Sequence, residues 1–141
     1  MVEKAVEEKR AGWNQSPVST ARIFAELWPL IREHDWCLAS GTIFAGSHHA
    51  QLWEHDRPYS YLGMYPAAAL GYVLGSCAGA ALAARSRDRI VINIQGDGDF
   101  NYAPGSIWTA AHHKLPMLTI MHLSLIHISA PTSRYAISSA V

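Results

Sequence analysis

Charge is what this chain has least of. Only 16% of its 141 residues are charged, and 11 basic side chains cancel 11 acidic ones. No basic stripe disturbs that balance, which argues against the electrostatic footprint of a nucleic-acid binder. Cysteine is scarce too. Cys37 and Cys77 are too few for a disulfide framework and suit a reducing cytosol. With no basic neighbour in sequence they read as inert buried thiols. A long apolar run is also lacking: Gly71 to Ala84 spans 14 residues, short of a bilayer crossing. The N-terminus MVEKAVEEKR is charged, not the apolar stretch of a secretory signal. Apolar residues, by contrast, make up half the chain, which excludes wholesale disorder. At 15.5 kDa the chain suits one domain, able to hide roughly 70% of its unfolded surface. The expectation is a neutral, cytoplasmic α/β unit with neither nucleic acid nor membrane as partner.

Along the chain, Val2 to Ala11 reads as a short charged helix ended by GWNQSP. Ser19 or Thr20 can cap a second helix whose apolar residues Ile23, Leu27 and Ile31 recur every four positions. Pro29 should kink or restart it. Trp36 to Ala39 reads as a buried strand, Ser47 to Trp53 as helical, and RPYSYLG as a turn and a second short strand. Ala67 to Arg85 is the longest helical signal. Gly71, Gly75, Gly79 and Ala83 give it one side-chain-poor face, expected to pack closely on a sheet or partner helix. Ile90 to Gln95 is a near-continuous apolar strand of the kind buried on both faces. A glycine loop, a helix from about Ser106 to Lys114 and the strand Pro116 to Met121 follow. That order is a βαβ unit with a right-handed parallel crossover. The fold class is therefore α/β, a three-layer α/β/α sandwich with a mainly parallel sheet.

The sharpest motif is Gly96-Asp97-Gly98-Asp99 at the carboxyl end of that buried strand, where open α/β sheets bind ligands. Glycines let backbone N–H groups approach a phosphate, and a neighbouring carboxylate offers Mg²⁺ a hard oxygen. An Asp-Gly turn with no ligand explains the tetrapeptide equally well. A dinucleotide fingerprint fits poorly, because Asn101 stands where its third glycine belongs. His48-His49 and His112-His113 lack the spacing of a helical zinc pair. His112 and His113 suit surface or packing roles, whereas His48, after Gly46 and Ser47, could meet an anion. The five tryptophans suit core and interface anchors.

The segment IVINIQGDGDFNYAPGSIWTAAHHKLPMLTIMH resembles the diphosphate-binding module of thiamine-diphosphate-dependent enzymes. It is similar to the acetolactate synthase and benzoylformate decarboxylase branch. SHHAQLW and YPAAALGYVLGSCAGAALAAR resemble the same module, in the right order. The likeness divides the chain into 1–17, a linker or helix from a preceding domain, and 18–122, an incomplete diphosphate-binding domain. Residues 123–141 are a tail outside the family pattern. The resemblance implies the thiamine-diphosphate-binding fold, with thiamine diphosphate and Mg²⁺ as cofactors. It implies Asp97 as the Mg²⁺ ligand, at the turn that Gly96 opens, and Gly98 and Asp99 along the diphosphate. It implies Gly46, Ser47 and His48 on the diphosphate's other side. Leu70 would hold the cofactor bent, and the backbone near Ala68 would accept from its aminopyrimidine. No residue of this chain is implied as catalytic. The activating glutamate of such enzymes belongs to a pyrimidine-binding domain, usually of a partner subunit, and the complete enzyme is a homodimer or tetramer.

Two departures stand out. Ala68-Ala69 replaces a usual glycine pair, and Leu123-Ser124 stands where the family has Asn-Asn, the second of which completes the metal site. From Leu123 onward the chain resembles translated sequencing-adapter DNA, so the expectation is a fragment of a 2-oxo acid decarboxylase or acetolactate synthase-like enzyme, inactive alone. A noncatalytic nucleotide- or phosphate-binding α/β module is the rival reading.

Overall fold

The structure is a computed structural model that describes residues 13–14, 16, 18–39, 48–63 and 69–122. The expected helix at residues 2–11 and the tail from residue 123 lie outside them. Helix α1 (Thr20–Ile31) starts where its cap predicts. Ser19 is extended at φ −71° and ψ 146°, and its hydroxyl oxygen accepts the Arg22 N–H at 3.3 Å. Pro29 does not restart this helix, which runs through it unbroken. It sits in the last turn, where a missing N–H removes one bond, and the helix ends two residues later.

Strand β1 (Asp35–Leu38) and helix α2 (His48–Leu52) follow. The RPYSYLG segment forms its turn but no full strand. Only a single parallel bridge joins Leu38 to Tyr61, with the Leu38 N–H donating to the Ser60 carbonyl at 2.8 Å. Helix α3 (Tyr72–Ala84) starts later than the alanine-rich pattern suggested. Gly71, at φ 84°, is left-handed, so the helix cannot run backward through it. Strand β2 (Arg89–Gly96) leads into helix α4 (Asp97–Tyr102), where a loop was expected. Helix α5 (Gly105–His112) and strand β3 (Met117–His122) complete the unit.

The sheet has the order β1-β2-β3, parallel throughout, with β2 in the centre. Its register starts at Asp35 opposite Arg89. The same two residues form a two-pronged ion pair, with Arg89 Nε 2.9 and 3.0 Å from the two Asp35 carboxylate oxygens. That hydrogen bonding raises the Arg89 pKa above its ordinary value.

Alternation along β2 divides the core into two faces. Ile92 and Ile94 point to α1 and α2, packing with Phe24, Trp36, Leu38, Leu52 and Trp53. Val91 points the other way, onto Val73, Cys77, Ala81 and Ala84 of α3. Helices cover both faces, so the sandwich has its three layers. On the first face Trp36 and Trp53 meet edge-to-face at 5.3 Å, and the Trp53 indole N–H donates to the Phe24 carbonyl at 2.7 Å. Trp28, 5.7 Å from Trp36, joins the same cluster. The tryptophans expected as core anchors therefore include these three, whereas Trp108 is 66% exposed and stacks on His112 at 4.7 Å.

The small-residue face of α3 is not the one that meets the sheet. Gly75 and Gly79 lie on the outside; an added Cβ at Gly79 would touch nothing within 4 Å, and one at Gly75 only the Ser106 hydroxyl at 3.9 Å. Val73, Leu74, Cys77, Ala78, Ala81 and Ala84 supply the buried side instead, because they carry the apolar area.

Two polar clusters complete the core. Asn93 and Gln95 are fully buried on the α3 side of β2, and their amide atoms have no partner among the described residues. Thr119, opposite Asn93 on β3, shares that state. Beneath α2, His49 Nδ1 lies 3.3 Å from His55 Nε2, and His55 Nδ1 lies 3.1 Å from the Ser60 hydroxyl. Burial lowers both imidazole pKa values. The charge of His55 and then His48 adds to the lowering at His49, while a hydrogen bond to the His49 backbone and then the charge of Asp56 oppose it at His55.

Two outcomes are expected. Asn93→Leu, close to isosteric, removes a buried amide that no described residue satisfies and should stabilise the fold by about 1–3 kcal/mol in urea unfolding. Both imidazoles take up protons less readily in the fold, whereas the unfolded chain does so near the ordinary histidine value of about 6.5. Stability should therefore be complete above about pH 6.5 and fall as pH drops through the lowered folded values. Melting temperatures between about pH 7.5 and 5 measure this, and His55→Gln should flatten the profile.

Candidate functional site

The central strand delivers Gly96-Asp97-Gly98-Asp99 to its carboxyl end, and the chain turns there directly into α4. Gly96 still belongs to the sheet, opposite His122, with an extended backbone at φ −77° and ψ 158°. Any side chain could adopt those angles. A Cβ there would meet nothing nearer than the His122 carbonyl at 3.8 Å. Neither strain nor crowding within the described residues requires glycine at this position.

Asp97 and Asp99 both fall in the first turn of α4, where negative charge suits the helix dipole. Asp97 is partly buried. Asp99 is 7% exposed and turned inward. Its Oδ1 accepts a short hydrogen bond from the Gly71 backbone N–H, and its Oδ2 is buried without a partner among the described residues. The backbone of Gly71 crowds α4 from the other side, for an added Cβ would stand 2.7 Å from Tyr102 Cβ. Leu70, directly before it, keeps its side chain 57% exposed.

Of the residues expected at the site, Gly96, Asp97, Gly98, Asp99 and Leu70 thus share one end of the molecule, linked by the Asp99–Gly71 bond. His48 starts α2 and sets its ring 6.1 Å from Phe24, on the α1 side of the sheet. Gly46, Ser47 and Ala68 lie outside the described residues. Asp99, expected along a diphosphate, has its carboxylate bonded to the Gly71 backbone of another element. Sequence reasoning missed Asn93 and Gln95 as buried polar residues, although two amides inside IVINIQ were the visible signal.

The other candidate chemistries fall away. Burial pushes the Cys37 thiol up to about 11 and that of Cys77 up to about 12, the opposite of an activated nucleophile. His113 packs edge-on against the exposed His112 at 4.9 Å, a surface pair as expected. Among the described residues no group of three or more His, Cys, Asp or Glu side chains could hold a metal by itself. A cavity of about 180 Å³ beside Cys37, Tyr59 and Arg89 and one of about 250 Å³ beneath α5 both lie away from the glycine loop.

The family model described as thiamine pyrophosphate enzyme, C-terminal TPP binding domain, matches residues 45–123. The chain belongs to this family. Solved structures agree on the fold. A candidate thiamin diphosphate-dependent enzyme from Mycobacterium smegmatis superposes with a TM-score of 0.70 at 24% identity, over 82% of this chain and 22% of that one. Benzoylformate decarboxylase from Polynucleobacter necessarius gives 0.68 at 19% identity, over 76% of this chain and 20% of that one. The chain spans about a fifth of the length of either structure. In this thiamine pyrophosphate domain the glycine loop occupies the strand edge at which open α/β sheets hold ligands.

Gly71→Ala tests the joint between α3 and α4. It combines a left-handed backbone with a 2.7 Å approach to Tyr102, so it should destabilise by more than about 1 kcal/mol. Gly79→Ala, in open space on the same helix, should be neutral or stabilising by about 0.5–1 kcal/mol. Thermal unfolding of the two variants gives the comparison.

Proposed function

We propose that this domain binds the diphosphate end of thiamine diphosphate through Mg²⁺, with Asp97 as the metal's protein ligand. The observation that carries the reading is the Gly96–Asp99 turn at the carboxyl end of the central strand in a thiamine pyrophosphate domain. The donor set supports it. Two carboxylates in one turn would repel a bare diphosphate, and a hard divalent cation between them removes that conflict. The glycine at 96, which packing among the described residues does not require, leaves room for a ligand to approach the backbone closely.

The residues present therefore fit the group in part. Asp97 would hold the cation, the Gly98 backbone would face the diphosphate, and Leu70 would press its exposed side chain against the cofactor's bend. Leu123 and Ser124 replace the Asn pair of the family pattern, which removes an amide oxygen from the metal's ligands. Thiamine diphosphate, when bound, supplies a carbanion and an electron sink for cleaving the bond next to a carbonyl.

The whole enzyme would be a 2-oxo acid decarboxylase or an acetolactate synthase-like ligase. The benzoylformate decarboxylase named among the similar structures supports the first of these. Its pyrimidine-binding domain and a second subunit would complete the active site. This chain supplies the diphosphate half and should not turn over substrate alone.

Calorimetric titration with thiamine diphosphate is the test. Binding should be weak, should require Mg²⁺ and should drop more than about tenfold in Asp97→Ala. Joint Leu123→Asn and Ser124→Asn changes should tighten it. Binding that ignores Mg²⁺, or survives Asp97→Ala intact, would reduce the glycine loop to an ordinary turn.

A further inference from the structure

Asp99 behaves as part of the scaffold. Its Oδ1 accepts from the backbone N–H of Gly71, 28 residues earlier, and only 7% of the residue reaches solvent. Gly71 is the N-cap position of α3 and has no side chain with which to cap it. Asp99 does so from another element, setting a carboxylate at the positive end of a 13-residue helix. Tyr102 closes on the same backbone position from the far end of α4. Two residues of α4 thus grip one residue of the 69–71 segment. Leu70 is 57% exposed, and the bond that Asp99 makes to the Gly71 backbone holds the residue directly after it.

We infer that Asp99 is a positioning residue: it fixes the Leu70 segment against the Asp97 turn, and so sets the spacing between the two ends of a bound ligand. The inference rests on reading this loop as a Mg²⁺–diphosphate site. It departs from a direct diphosphate contact by Asp99, because a carboxylate already engaged with Gly71 and shielded from solvent has no part in holding an anion. The buried, unpartnered Oδ2 fits this assignment. Such an atom is a cost to the fold, accepted here for the bond its partner oxygen makes.

The test uses Asp99→Leu, which keeps the shape and loses the acceptor, and Asp99→Asn, which keeps an acceptor oxygen. Without any ligand, amide hydrogen exchange reads the brace. In Asp99→Leu the Gly71 amide should exchange at least about tenfold faster, while Ile92 and Ile94 in β2 keep their protection. Asp99→Asn should restore the slow exchange. Binding then separates the two ends. Inorganic pyrophosphate with Mg²⁺ reports the Asp97 turn alone, whereas thiamine diphosphate with Mg²⁺ needs the Leu70 segment too. Asp99→Leu should weaken thiamine diphosphate about tenfold and pyrophosphate less than about twofold, and Leu70→Ala should add nothing further in that background.

Equal losses for both ligands would mean that Asp99 touches the diphosphate, and would overturn the inference. Unchanged exchange at Gly71 would overturn it as well. If the unmodified chain bound neither ligand in a Mg²⁺-dependent way, the cofactor reading itself would fall, and the ligand half of this inference with it. The exchange arm would still decide whether Asp99 holds the Leu70 segment.

Discussion

Everything in this domain depends on β2 being covered on both faces. A strand in that position must satisfy two packing environments at once, and its alternation does so residue by residue. Ile92 and Ile94 serve the aromatic face, and Val91 serves the α3 face. The Asp35–Arg89 ion pair stands at the first rung of the register. A slip of one residue would send Asn93 and Gln95 into the tryptophan cluster and break that pair. With the strand held, its carboxyl end has one place to go, and Gly96 to Asp99 arrive there.

The two faces differ in kind. The α1 side is a compact aromatic assembly in which the indole N–H of Trp53 finds a carbonyl and the histidine pair finds a serine hydroxyl. The α3 side is small and alanine-rich, and it contains the unpartnered amides of β2. The α3 face carries amide atoms that no described residue satisfies. Those amides lie on the strand that ends at the glycine loop.

Much of this was legible in the sequence, for reasons that can be named. Ile90 to Gln95, the loop after it, the following helix and the next strand form a local βαβ unit, and local periodicity is what a sequence displays best. The Ser19 cap was visible because its chemistry is contained within three residues. Other features resisted reading because they depend on distant partners. Helix α3 starts at Tyr72 because Gly71 is left-handed and pressed against Tyr102, a contact that no window around residue 71 contains. The glycine stripe of α3 looked like a packing face, yet the larger residues on the opposite side won the sheet. Asp99 looked like a ligand residue because of its motif, and its bond to Gly71 closes only in three dimensions. The Gly46, Ser47 and Ala68 assignments came from resemblance, which sees motif order and not coordinates.

The sheet pairs segments at very different separations along the chain. Val91 lies opposite Met117, 26 residues away, and the Asp99–Gly71 bond spans 28. The Asp35–Arg89 pairing spans 54. Closing a loop twice as long costs about 0.6 kcal/mol more in chain entropy. Contacts around the glycine loop therefore close over shorter stretches of chain than those that seat β1 and its tryptophans. In a folding chain, the ligand-facing corner can assemble on β2 and β3 first, and the aromatic face can dock onto a corner already shaped.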